Sequence, residues 1–319
     1  MRTAAIICEF DPFHEGHKYL IENVRRDIDP DALVCIMSGN YVQRGKPSVF
    51  DKRQRAFCAI KGGADLVLQM PVCVSLSSAK YFAKGAVDIA KAMKIDHLCF
   101  GSESGDLDEL KTMATEGIDG IEEGNNILAA EYLRNLDESI APYTVKIDES
   151  LGHASDIRKN LGVSYDEEVF KLLQYKIISS TAEELRKAPE VSEGIENRIL
   201  SVISKAYSLD DLILRIKSKR YNYARISRML MQILLSITSS TPNSPYAHVL
   251  AFNKTGQKFL SHIKKNEGPA LYSNLDPEMV SRDPFLLLDV KADDIYSIIK
   301  ERTIYDHSDY VCKPNKTNV

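Results

Sequence analysis

A chain of 319 residues is long enough for a full core and points to two domains rather than one. Hydrophobic residues make up 44% and charged residues 27%, the balance of a water-soluble globular protein. A net charge of −4 argues against a protein that coats nucleic acid by bulk electrostatics, while leaving room for a local basic face.

Residues 1–7 carry no apolar leader with a cleavage site, and no apolar run approaches the roughly 20 residues that cross a bilayer. The cysteines at 8, 35, 58, 73, 99 and 312 form no CxxC pair and mostly sit in or beside apolar segments, which suits small buried hydrophobes in a reducing compartment. A cytosolic protein without a membrane partner is expected.

Taken in chain order, the first half alternates. Thr3–Cys8 (TAAIIC) is a short apolar run, followed by a loop and an amphipathic helix near 17–26. Ala32–Met37 (ALVCIM) is a second run; after the Ser38-Gly39 loop, Asp51 can cap a helix reaching about Lys61. Residues 66–70 and 97–100 flank a helical stretch at 78–93, and 143–147 is a fifth strand candidate before a helix that opens at Ala154. Near-continuous apolar strands separated by helices are what a parallel sheet covered on both faces requires. The expectation is α/β: a Rossmann-like parallel sheet in an N-terminal domain, 1–162, then a mostly helical C-terminal region, 163–319. In that second part, helical periods run almost without a break from 165 to 235, and a Ser/Thr/Pro-rich segment, 238–245, closes the block. A small mixed tail follows, with a strand at Tyr246–Phe252 and helices at 256–264 and 292–301.

His14-Glu15-Gly16-His17 stands just past the first strand and opens a helix. Parallel sheets bind ligands beyond the carboxyl ends of their strands, and a helix N-terminus attracts phosphate. Gly16 permits close backbone approach, and two imidazoles can donate hydrogen bonds to oxygens that gain charge in a transition state. The two histidines are one residue too close for the H-E-x-x-H metalloprotease pair, so no metal site is assigned to them.

Residues 9–17 (EFDPFHEGH) and 37–45 (MSGNYVQRG) together resemble the tRNA(Met) cytidine acetate ligase family. The resemblance continues through 63–67 (GADLV), 82–87 (FAKGAV), 100–103 (FGSE) and 125–133 (NNILAAEYL), and in the second half through 194–199 (GIENRI), 219–221 (KRY), 228–230 (RML) and 288–292 (LDVKA). It implies an enzyme that uses ATP to activate acetate as acetyl-adenylate, then acetylates N4 of the wobble cytidine of elongator tRNA(Met). By the resemblance, Ile7, Glu9, Phe10, Asp11, Pro12, Phe13, Gly16 and Leu20 would wrap the ATP. Gly101 would let it pass close to the end of the fourth strand, Asn125 would meet it from the N-terminus of its helix, and Lys146 would follow the fifth strand.

Acetate is already ionised at neutral pH, so its attack on the α-phosphate needs charge neutralisation more than a base. His14, His17 and Arg158 are the candidates, with Mg²⁺ bridging the phosphates. Ser155 and Arg158 lie in Ala154-Ser155-Asp156-Ile157-Arg158, a pattern shared by phosphate-binding helix starts and by ordinary capped helices. Gln43 and Arg44 are candidates for the substrate or tRNA end; the plainer alternative pairs Arg44 with Asp51 or Asp65. Lys217, Lys219, Arg220, Arg225 and Arg228, interleaved with Tyr221 and Tyr223, suit an anticodon loop if one helix carries them, and otherwise suit a solvated face.

Asp11 stands where the family usually shows Asn, and the links from Glu103 to Asn125 and from Ile147 to Ser155 are shorter than the family's. Two further readings therefore stay open: an adenylyltransferase acting on a small acceptor, and a degenerate tRNA-binding paralogue.

Overall fold

The computed structural model describes residues 1–118, 121, 123–266 and 268–317. Ten strands occur among them: β1 Thr3–Cys8, β2 Ala32–Met37, β3 Tyr41–Val42, β4 Lys46–Pro47, β5 Leu66–Gln69, β6 His97–Ser102, β7 Ala141–Lys146, β8 Tyr246–Phe252, β9 Ala270–Tyr272 and β10 Asn315–Lys316. The main sheet runs β10-β8-β5-β2-β1-β6-β7, with β9 also on β8. The block β5-β2-β1-β6-β7 is parallel throughout, so the strand order reverses between β1 and β6. A crevice outside the carboxyl ends at that reversal is where such sheets bind ligands.

Alternation along β1 and β2 explains why both read as unbroken apolar runs. Ala4, Ile6, Leu33, Cys35 and Met37 face one core with Ile21, Val24, Ala56 and Ile60 from the helices Glu15–Asp27 and Lys52–Lys61. Their neighbours Ala5, Ile7, Val34 and Ile36 face the other, packed with Phe82, Ala86, Ile89 and Ala129 from the helices Ala79–Ala92 and Gly124–Asn135. That second core does not stop at the sheet. It continues through Val169, Leu173, Ile199, Leu212, Ile226, Leu230 and Tyr296, so sheet and helical half share one apolar interior. The six cysteines are free.

Three expectations change. The strand Tyr246–Phe252 is not part of a separate tail: β8 pairs antiparallel with β5, from Leu66 opposite Phe252 to Gln69 opposite His248, and extends the main sheet. The stretch from 165 to 235 is broken into the helices Asp166–Ile178, Ala182–Leu185, Ile195–Val202, Leu209–Ile216 and Tyr223–Leu235. The helix expected at 292–301 is longer, Pro284–Ile299, because Asp283 caps it and Pro284 occupies its first turn.

Candidate active site at the strand reversal

Phe10 leaves β1 in a left-handed backbone conformation, φ 51°, which is uncommon for a bulky side chain. The turn sends Asp11–Phe13 back across the sheet end, through a cis Asp11–Pro12 peptide, and delivers His14 as the N-cap of the helix Glu15–Asp27. The Phe10 side chain is core, packed edge-on beneath His17 at 4.8 Å between ring centres, with Phe13 at 5.0 Å. Phe13 in turn lies against Gly62. Leu20 closes the same apolar face from the helix, and Ile7 is buried near the end of β1.

The caps set the histidine tautomers. The Gly16 N–H donates to His14 Nδ1 at 3.0 Å, and the His14 N–H donates to His17 Nδ1 at 3.3 Å. Each Nδ1 is therefore an acceptor, so each neutral ring carries its proton on Nε2, away from the helix. The rings lie 3.8 Å apart. Burial, with help from His14, lowers the His17 pKa to about 3. Burial, then His153 and Arg158, lowers that of His14. Both rings are thus neutral hydrogen-bond donors near pH 7, not cations.

Arg158, on the helix Ala154–Leu161, supplies the positive charge. It donates to the Asp11 carbonyl, and its guanidinium lies 3.8 Å from the Asp11 carboxylate. The same carboxylate accepts the Val49 N–H at 2.7 Å and is buried. The extra charge of Asp11 therefore has a counter-charge from the protein itself. Ser155 is exposed on the first turn of this helix, and His153 just precedes it.

Across the reversal, Gly101 is half-buried near the end of β6 and Lys146 is exposed at the end of β7. Asn125 is exposed in the first turn of Gly124–Asn135, where its amide donates to Glu103 at 2.8 Å. The Glu103 carboxylate also takes the Asn125 and Asn126 N–H groups, so a protein anion sits on that helix end.

The loop after β2 folds into the β3–β4 hairpin over the crevice. Buried Arg55, which the sequence reading did not single out, donates to the carbonyls of Glu9, Ser38, Gly39 and Phe50 and so pins both loops together. The Gln43 N–H donates to Glu9 at 2.6 Å, and the Gln43 side chain reaches the Ser77 carbonyl at 3.3 Å. Arg44 is exposed and pairs with neither of the carboxylates considered for it. Asp51 binds Arg302 and Asp65 binds Arg25. Beside Arg44, Gly45 (φ 77°) rests on the helix Tyr223–Leu235, where Ser227 Oγ donates to its carbonyl at 2.9 Å.

Comparison with known proteins agrees with this geometry. The HIGH Nucleotidyl Transferase family model matches residues 1–120 and 149–309. Among curated proteins, the tRNA(Met) cytidine acetate ligase of Clostridium perfringens (strain SM101 / Type A) is 33% identical, covering 98% of this chain and 99% of its own. That of Clostridium botulinum (strain Hall / ATCC 3502 / NCTC 13319 / Type A) is also 33% identical, with 98% of each chain covered. The chain belongs to the tRNA(Met) cytidine acetate ligase family. It is accordingly an enzyme of the ligase class. The C. perfringens alignment runs over 404 residues against the 319 here, so the relative carries stretches with no counterpart in this chain. Among solved structures, Thermotoga maritima TmcAL bound with alpha-thio ATP shares the fold, with TM-score 0.85 and 23% identity over the full length of both chains.

Within this family member the basic stretch is not one helix. Leu209–Ile216 ends before it, and Asn222 caps Tyr223–Leu235 by accepting the Arg225 N–H. Arg228 is held by Glu190 at 3.0 Å, and Arg220 pairs with Glu193 at 2.9 Å. Arg225 lies over the Tyr221 ring at 4.2 Å. Tyr221 itself is buried, its hydroxyl on the Ser192 carbonyl at 3.0 Å, so its ring offers no free face to a base. Lys217 and Lys219 remain exposed, as does Arg220.

Proposed function

We propose that this ligase activates acetate with ATP as acetyl-adenylate and transfers the acetyl group to N4 of the wobble cytidine of elongator tRNA(Met). The observation that carries the first half is the pair of neutral imidazoles, each locked with Nε2–H outward at a helix N-terminus beside Arg158. Such donors stabilise charge that grows on phosphate oxygens without needing to reorganise, and one of them is typically worth about 3–4 kcal/mol. An acetate oxygen attacks the α-phosphorus, and pyrophosphate leaves with its charge met by His14, His17 and Arg158.

Mg²⁺ supplies further neutralisation when it is bound to the triphosphate. Among the described residues no group of three or more His, Cys, Asp or Glu is arranged to hold a metal. Gly101, Asn125, Lys146 and Ser155 would approach the nucleotide from the β6–β7 side. The names of the relatives support tRNA(Met) as the acceptor. Arg44, Lys219, Arg220 and Arg225 would meet its phosphates, with Gln43 and Arg44 nearest the reacting end. Arg228, tied to Glu190, shapes that surface instead.

The test supplies ATP-Mg²⁺, labelled acetate and elongator tRNA(Met) to the purified protein. Acetylated cytidine that disappears in His17→Ala supports the proposal. Pyrophosphate released with a small acceptor alone, or tRNA binding without turnover, overturns it.

A further inference from the structure

The activation step gives Glu9, at the start of the loop 9–17, no bond to make or break. Both of its hydrogen bonds fall on a single oxygen: Oε1 takes the Gln43 N–H at 2.6 Å and the Ser38 hydroxyl at 3.2 Å. Oε2 accepts no hydrogen bond among the described residues. The carboxylate is thus fixed at one end, by Ser38 and by the hairpin that presents Arg44, and unpaired at the other.

We propose that Glu9 is the general base of the acetyl-transfer step, accepting the proton from the cytidine N4. This rests on the reaction proposed above. The N4 lone pair is delocalised into its ring, so the amine must shed a proton as it bonds. In the step, N4 bonds to the carbonyl carbon of acetyl-adenylate, the carbonyl carbon–oxygen bond to phosphate breaks, and AMP leaves with the electron pair. One N4 proton passes to Glu9 Oε2. Burial raises the Glu9 pKa above the usual glutamate value; the Gln43 N–H opposes this, Asp11 adds to it, and Arg55 and Ser38 oppose it further. The other titratable groups facing it are Cys8 on β1 and Tyr132 on the helix Gly124–Asn135. A base so tuned holds a proton better than an exposed glutamate does.

Glu9→Gln keeps an oxygen for Gln43 and Ser38 and removes only the basic lone pairs. Three readouts separate the roles: acetate-dependent ATP–pyrophosphate exchange, acetohydroxamate formed with hydroxylamine, and single-turnover transfer to tRNA(Met). In Glu9→Gln, exchange and hydroxamate are expected to fall far less than transfer. Transfer falls on the order of 10²–10⁴-fold and loses the acidic limb of its pH profile. Transfer at the original rate overturns the inference, as does parallel loss of exchange and transfer in folded protein. Should Glu9→Gln fail to fold, Glu9→Asp takes its place: selective loss of transfer supports the assignment and proportional loss of all three activities refutes it. If the unsubstituted enzyme shows no acetate-dependent exchange, the reaction proposed above fails and this assignment with it; intact exchange with unaffected transfer defeats this assignment alone.

Discussion

His14 and His17 owe their tautomers to backbone N–H groups, so their donor ends are set before any nucleotide arrives. Removing one donor with His17→Ala is expected to slow acetate-dependent pyrophosphate exchange on the order of 10²–10³-fold. The same side chain carries a pH signature in stability. Its folded pKa, about 3, lies below the roughly 6.5 of an unfolded histidine. Below pH 6.5 the unfolded chain binds a proton that the native state refuses, so stability falls from there toward pH 3 and is flat above. His17→Gln should flatten that decline in urea midpoints measured across the range. At Asp11, Asn can still accept the Val49 N–H, so Asp11→Asn is expected to cost under about 1 kcal/mol. Asp11→Ala leaves a buried N–H and should cost about 1–3 kcal/mol in denaturant unfolding.

Hairpin β3–β4 joins the phosphate loop to the helix Tyr223–Leu235 through Gly45. A Cβ there would stand 2.3 Å from the Arg228 nitrogen, at a φ of 77°. Gly45→Ala is therefore expected to destabilise by more than the about 1–2 kcal/mol of left-handed strain, and to impair transfer to tRNA more than pyrophosphate exchange. Such docking leaves little local trace, because strands of two residues have no periodicity. By contrast β1, β2 and β8 were legible to the residue, because burial on both faces demands continuous apolar runs. What β8 joins was not legible, since pairing partners some 180 residues apart leave no local mark. The loop 9–17 was legible as a candidate site because its motif is contiguous in sequence. Arg55 and Lys52 escaped notice because charges on a short helix ordinarily face water. Whether one helix carries the basic stretch was left open, and Asn222, a good N-cap, is the residue that divides it.

Across the whole molecule, Lys52 is buried with two carboxylates, Asp293 and Asp309, the latter at 2.7 Å and also held by Arg53 at 2.7 Å. Burial works against the Lys52 charge, yet Asp293 and Asp309 outweigh it and raise its pKa. Burial and Asp309 push Asp293 up; at Asp309 burial opposes, but Lys52, His248 and Arg53 prevail and lower it. Lys52→Met strands those acids in a dry interior. The expected loss is about 3–5 kcal/mol in urea unfolding, restored in part by Lys52→Met with Asp293→Asn. With one apolar interior spanning sheet and helices, that unfolding should be a single transition in both circular dichroism and tyrosine fluorescence.

Buried Asn40, just past β2, also donates to Asp293, and its side-chain oxygen accepts the Lys52 N–H. The partners that balance this corner are made some 240 to 257 residues later. A nascent polypeptide on the ribosome, with its amino-terminal strands already emerged, therefore lacks both carboxylates that neutralise Lys52 in the folded chain. That buried corner closes only once translation has passed residue 309.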